Sequence, residues 1–329
     1  MSKSGISRRA VLGGAGFAAL AGAGLLKHYT RGRASVFIAR NQNYESDLTR
    51  TIREGLSEAG FDPHGIRGKR VLLKPNMVEP SRDAPQMTTH PMLVAAATEV
   101  FLGWGAHVAV GEAPGHVRDS DLALDESGIG EALSLLKLPF ADLNYQTSRW
   151  TNNAGGYSKL GGFWFPQSVA EADLVVSMPK MKTHHWMGVT ASMKNLYGTL
   201  PGLKYGWPKN VLHFNGIAET VADINASLPR AISIVDAIEC MEGDGPIMGT
   251  SKQMGLLVMG TNLPAVDATV CRLMQIDPTA VPYLALIEDS LGPLDDELID
   301  QRGEHWQGLA SPFAVLDKPH LKPMIRLRG

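Results

Sequence analysis

Residues 174–198, LVVSMPKMKTHHWMGVTASMKNLYG, crowd cations and imidazoles behind an apolar run, a composition suited to capturing an anion. Lys180, Lys182 and Lys194 supply point charges, Thr183 a hydroxyl, and His184 and Asn195 further polar contacts. An earlier stretch, KPN followed by TTH, adds Lys74, Asn76, Thr88, Thr89 and His90 to this candidate binding set for a phosphate or carboxylate. A lysine among other cations holds its proton weakly and can act as a base or an amine nucleophile. Lys182 and Lys194 are therefore catalytic candidates, joined by His213, because imidazole titrates near neutrality. The competing reading has some of these lysines solvated or paired with carboxylates, and His213 capping or packing.

Glu112, Asp236, Glu242 and Asp244 offer oxygen ligands to a hard divalent cation, with His90, His116, His184 and His213 as nitrogen donors. No close-spaced signature such as His-Glu-x-x-His accompanies them, and hydrogen bonds within turns are the commoner fate of such residues. His184 and His185 add little as a pair, since neighbours on extended backbone point to opposite sides. Gly243, Gly245, Pro246 and Gly249 can wrap a phosphate or simply turn the chain; the Gly-Lys-Ser/Thr ending of a P-loop is absent. Cys240 and Cys271 are too few for an iron–sulfur cluster held by four thiolates of one chain. A disulfide between them is permitted in an oxidising compartment, with burial as small apolar residues the simpler reading. The cofactor is thus unnamed: a divalent metal stays open, and an iron–sulfur cluster is not expected from this chain alone.

What must position these residues is a set of apolar runs that each end in a polar group. Val71, Leu72 and Leu73 lead to Lys74; Val108, Ala109 and Val110 to Gly111 and Glu112; Leu174, Val175 and Val176 to Pro179 and Lys180; Ile232 to Val235 lead to Asp236. Such runs suit strands of a parallel sheet buried on both faces, whose carboxyl ends converge on one crevice. Further strands are expected at 35–39, 140–143 and 255–259, and a closing strand at 309–316. Helices are expected at 46–59 with Ser46 as cap, 91–102 with Pro91 at its first position, 120–137 in pieces, 169–172, 215–227 just after His213, and 264–274 with Asp267 structural in its first turn. Between 144 and 166 the composition shifts to Asn, Gly, Ser and aromatics, a hairpin or excursion and the candidate lobe boundary. The expected fold is α/β: a mostly parallel sheet flanked by helices, in two lobes, with a crevice at the strand carboxyl ends.

The chain has 329 residues, 44% of them hydrophobic, and a net charge of −2 that conceals an asymmetry. Residues 1–33 hold six Lys or Arg and no acid, leaving 25 basic against 33 acidic side chains and a body of −8, a poor surface for nucleic acid. Arg8 and Arg9 precede an uncharged run over residues 10–26, which resembles a twin-arginine export signal. The expected partner is the export machinery, the destination periplasmic or otherwise extracytoplasmic, and membrane contact is confined to residues 10–26 if they are not cleaved.

VLLKPNM with TTHP, VGEAPG, SGIG, VVSMPKMKTH, SMKNLYG, His213, IVDAIECMEGDGPIMGT and GTNLPAVDA follow one another as in domain of unknown function 362, a bacterial and archaeal family that the chain resembles from about residue 35 to 303. The resemblance implies a fold and a pocket more than a reaction. Many relatives add a ferredoxin-like cysteine-rich segment absent here, so a redox role would require a partner protein. Two functions follow. The first is an exported enzyme for a small anionic substrate, Lys74, Lys180, Lys182 and Lys194 forming the clamp, His213 and a carboxylate moving protons. The second is a carrier delivering an anionic metabolite or metal cofactor to an exported redox system.

Overall fold

The β-branched and leucine-rich runs all become strands of one sheet. The computed structural model describes residues 32–288 and 290–325, so the expected export signal at 10–26 lies outside the described residues. The strands are β1 Ala34–Ala39, β2 Arg70–Pro75, β3 His107–Glu112, β4 Phe140–Asp142, β5 Ser148–Asn152, β6 Gly162–Pro166, β7 Leu174–Met178, β8 Lys180–His184, β9 Gly188–Thr190, β10 Ala231–Glu242, β11 Thr250–Gly260 and β12 Ile299–Gly303. The main sheet runs β12-β1-β11-β10-β7-β2-β3-β4, with β8 beside the far part of β10 and β9 beside β8. From β10 to β4 the neighbours are parallel, whereas β11 lies antiparallel to both β10 and β1.

Side-chain alternation along each strand splits the apolar residues between two cores. Val71, Leu73, Val176 and Ile234 face helices Leu48–Glu58 and Pro91–Gly103 through Ile52, Leu56, Leu93 and Phe101. Leu72, Val175 and Val235 face the other way, toward Leu196, Val221, Val266 and Tyr283. β7 is buried along its whole length, as a central parallel strand covered on both faces must be.

The 144–166 segment forms the hairpin expected there: β5 and β6 are a separate antiparallel pair whose Phe163 and Phe165 pack into the second core. β7, which follows it, pairs with β2, which precedes it, so the strands on either side of the hairpin belong to one sheet. Three local expectations shift. Asp47, not Ser46, caps the first helix, accepting from Arg50 N at 2.9 Å. His90 caps the Pro91–Gly103 helix through its ring, accepting from Met92 N. Residues 309–316 form no strand, meeting the sheet through a Val315–Gly243 bridge and contacts to Glu242 and Lys252, and the edge is closed by β12, whose Ile-Asp-Gln-Arg-Gly sequence carries a single large apolar residue.

Candidate functional site

The strand carboxyl ends bring β2 and β3 together in register, Leu73 opposite Val110, so that Lys74 and Glu112 emerge as neighbours and form a buried ion pair. Lys74 Nζ also donates to Pro75 O at 2.7 Å and to Asn195 Oδ1 at 2.8 Å. Asn195 ends the short Ser192–Asn195 helix, whose first amides, Ser192 N and Met193 N, are held by Asp267 at 2.7 and 3.0 Å. Asp267 is therefore structural, as expected, but it caps a different helix from its own, and burial raises its pKa to about 6. The Asn195 amide donates to Lys74 O and Ser177 Oγ, which aims its Oδ1 at Lys74 and at Asn76 Nδ2. Gly198 crosses directly over the ion pair: a Cβ there would collide with Glu112 Oε1 and lie 2.6 Å from Lys74 Nζ.

Above this floor lies a cavity of about 280 Å³, walled by Lys74, Asn76, Glu112, His184, Trp186, Lys194, Asn195, Tyr197, Lys209 and His213, among others. Lys194 has no hydrogen-bond acceptor among the described residues; its ammonium rests 5.9 Å from the centre of the Tyr197 ring. Burial, reinforced by Lys74, lowers its pKa to about 8. Lys209 donates to Ala113 O at 2.8 Å and Tyr197 O at 3.2 Å, and burial brings it to about 7 despite the opposing charge of Glu112. His184 Nδ1 accepts from Trp186 N and Met187 N, at 3.1 and 3.3 Å. That fixes the neutral tautomer with its hydrogen on Nε2, and burial followed by the Lys194 charge holds the ring well below its usual pKa. The same two causes bring His213 to about 4. The cavity is thus a cationic pocket with neutral imidazoles in its wall.

Of the residues singled out from sequence, Lys74, Asn76, Glu112, His116, His184, Lys194, Asn195, His213 and Pro246 meet at this cavity, while Lys180, Lys182, Thr88, Thr89, Thr183, His90, Asp236, Glu242 and Asp244 are not in its wall. Lys182 is fully buried and donates to Met87 O and Pro246 O, at 2.8 and 3.3 Å, tying two loops together behind the wall. Lys180 pairs with Asp236 at 2.7 Å and with Tyr44 Oη at 3.0 Å, beneath a Tyr44–His90 stack with ring centres 3.6 Å apart. Thr89 accepts from Asn76 N and donates to Met178 O; Thr88 bridges to Met77; Thr183 donates to Gly243 O. In all five, the polar atom or backbone serves the loops that shape the crevice. His213 lies within its own short helix, Asn210–Phe214, ahead of Ile217–Ser227.

The four carboxylates proposed as metal ligands do not converge. Glu112 pairs with Lys74 and Asp236 with Lys180; Glu242 accepts from Ala314 N and pairs with Lys252; Asp244 lies 3.6 Å from His185. Among the described residues no three His, Cys, Asp or Glu side chains gather as a metal would require. Cys240 and Cys271 are buried and free. His184 and His185 both line the cavity, with rings 4.9 Å apart, because β8 ends at His184 and the chain turns. Lys209, Trp186, Tyr197 and Thr190 were not legible as site residues. A lone lysine in the Gly-Trp-Pro-Lys turn was the sole signal for Lys209, which adopts a left-handed φ of 67°.

Residues 71–272 match the family described as Domain of unknown function (DUF362). A thylakoid-associated protein of Synechocystis sp. is 28% identical over 269 residues, covering 80% of this chain and 82% of that protein. Among solved structures, the lactate racemase apoprotein from Thermoanaerobacterium thermosaccharolyticum aligns over 63% of this chain with a TM-score of 0.37 and 14% identity; the chain spans about half, 51%, of that structure.

Proposed function

The chain belongs to the family described as domain of unknown function 362, and from that premise we propose that its cavity binds and transforms a small carboxylate or phosphate. One observation carries this reading. Lys74 and Lys209 are committed to protein acceptors, whereas Lys194 reaches the cavity with none among the described residues. Lys194 is partly buried and lines the cavity with its ammonium unmatched by a protein acceptor, and an anion from solution supplies the missing partner. Among the described residues Glu112 is the single carboxylate of the wall, and it is occupied by Lys74. Neutral His184 and His213 supply a hydrogen-bond donor and a proton acceptor beside the bound anion. A cavity of about 280 Å³ admits a molecule of a few carbon atoms rather than a nucleotide.

Calorimetric titration with inorganic phosphate and a series of small carboxylates tests the reading. Saturable binding by the wild type, weakened at least about tenfold in Lys194→Met at unchanged melting temperature, is the expected result. Equal binding by both proteins would overturn it. Multiple turnover of a bound anion separates the enzyme from a carrier.

We also propose export by the twin-arginine route. Replacing Arg8 and Arg9 by lysine is expected to retain the protein in the cytoplasm of its host; unchanged delivery would refute this.

A further inference from the structure

We propose that Lys194 is an imine-forming nucleophile and that the anion it meets is a small 2-oxo carboxylate, whose carbonyl oxygen is held by His184. This rests on the anion-binding reading above and adds a covalent step to it.

The three cavity lysines differ in what their amines are tied to. Lys74 serves Glu112, Pro75 O and Asn195 Oδ1, and Lys209 serves two backbone carbonyls. An amine engaged by several acceptors must keep its protons to satisfy them. Lys194 has no such duty among the described residues, so its lone pair can be released toward the cavity. Its surroundings favour that release. Burial and the Lys74 cation bring it to about 8, which leaves about a tenth of the amine neutral at pH 7.

His184 completes the requirement for an electrophile. Two backbone amides occupy Nδ1, so the ring presents Nε2–H, and that nitrogen has no protein acceptor among the described residues. A neutral, fixed imidazole donor polarises a carbonyl oxygen without giving up its proton to the carboxylate next to it. After burial, Lys194 is the largest influence on both His184 and His213, which places its charge close to both rings. The cationic field of the wall, supplied by Lys74 and by Lys209 in its protonated form, receives the substrate carboxylate.

The step balances without an oxidant or reductant. Neutral Lys194 Nζ attacks the carbonyl carbon, forming a C–N bond while the C=O π pair moves onto oxygen. A proton passes from the new ammonium to that oxygen, with His213 as relay, since its ring stacks on Tyr197 at 5.8 Å beside Lys194. The hydroxyl leaves as water with the remaining Nζ proton, passed to it by His213, while the nitrogen lone pair closes the C=N bond and gives the imine.

Reduction in place tests this on the full chain. Wild type, Lys194→Arg and Lys194→Met are incubated with pyruvate and cyanoborohydride, and the products are weighed intact and mapped by peptide; pyruvate binding is measured by calorimetry in parallel. One adduct per chain, on Lys194, absent from both variants, is expected. Lys194→Arg, which keeps the charge, should still bind pyruvate within about tenfold of wild type. Pyruvate binding with no adduct, or with adducts spread over surface lysines, overturns the imine and leaves anion binding standing. Failure of pyruvate, acetate and phosphate alike to bind overturns both.

Discussion

Two lysine–carboxylate pairs each bridge neighbouring parallel strands, and they have opposite fates. Lys180 and Asp236 are fully buried, satisfied by each other and by Tyr44, and roofed by the Tyr44–His90 stack. Lys74 and Glu112 are equally buried, but their roof is Gly198, a residue without a side chain, and beyond it lies the cavity with Lys194 and Lys209. Both pairs join a lysine to a carboxylate on a parallel neighbouring strand. What distinguishes a site from a structural pin is what remains unpaired after the internal partners are counted, and on that measure the first region is closed and the second has Lys194 left over.

The sharpest way to break this contrast is to disturb the closed pair. Asp236→Ala strands Lys180 without its counter-charge in a dry interior, which should lower stability by about 3–5 kcal/mol. Urea unfolding measures it, and Lys180→Met/Asp236→Leu should recover most of the loss. A cost below about 1 kcal/mol would mean that the pair is solvated and is no pin.

Next in size is the roof of the open pair. Gly198→Ala inserts a methyl group into the Glu112 carboxylate and should cost about 1–3 kcal/mol of overpacking. It should also abolish anion binding although no charge changes, because the floor of the cavity shifts. Gly115 lines the same cavity with nothing within 4 Å of its Cβ position, so Gly115→Ala should leave stability unaltered. Parallel unfolding and calorimetric titrations decide it; an equal effect of both alanines would remove Gly198 from its role.

The sheet was legible because apolar runs of the right length end in Pro179, Lys74, Glu112 and Asp236, and burial on both faces leaves that pattern little freedom. The crevice followed from the sheet. Which lysines face it did not, because Lys180 and Lys182 lie two residues apart on β8 and owe their burial to partners distant in sequence: Asp236 and Tyr44 for one, Met87 and Pro246 for the other. Lys194 was legible as a member of a basic cluster, not as its unpaired member. Lys209 reaches the wall through a left-handed turn that no periodic pattern announces. The carboxylates proposed for a metal were misread for the same reason: each is taken by a cation or backbone amide nearby in space.

A smaller effect on stability is expected at Lys194 itself. Lys194→Met removes a partly buried ammonium with no acceptor among the described residues, so unfolding free energy should stay within about 1 kcal/mol of wild type or rise. Anion binding should be lost in the same protein. The opposite pattern, instability with binding kept, would make Lys194 a pin like Lys180 and dissolve the contrast between the two regions.

The finest discrimination is the pH dependence of that variant. The folded pKa of Lys194 is depressed to about 8, while the unfolded value lies near ~10.4. Between these values the unfolded chain binds the proton that the folded chain has released, so wild-type stability gains with rising pH; below about 8 both states are protonated and the gain is absent. The advantage of Lys194→Met over wild type should therefore be greatest below about pH 8 and shrink above it, as urea unfolding from pH 6.5 to 9.5 would reveal. Lys209, depressed to about 7 by burial and in part by the Lys194 charge, loses some of that depression in the variant and adds a smaller change of the same sign near pH 7. Function should split over the same interval: anion affinity falls as Lys194 loses its charge, while the rate of reductive trapping by pyruvate rises as the neutral amine accumulates. If affinity and trapping fell together, the group that titrates would be holding the anion without attacking it.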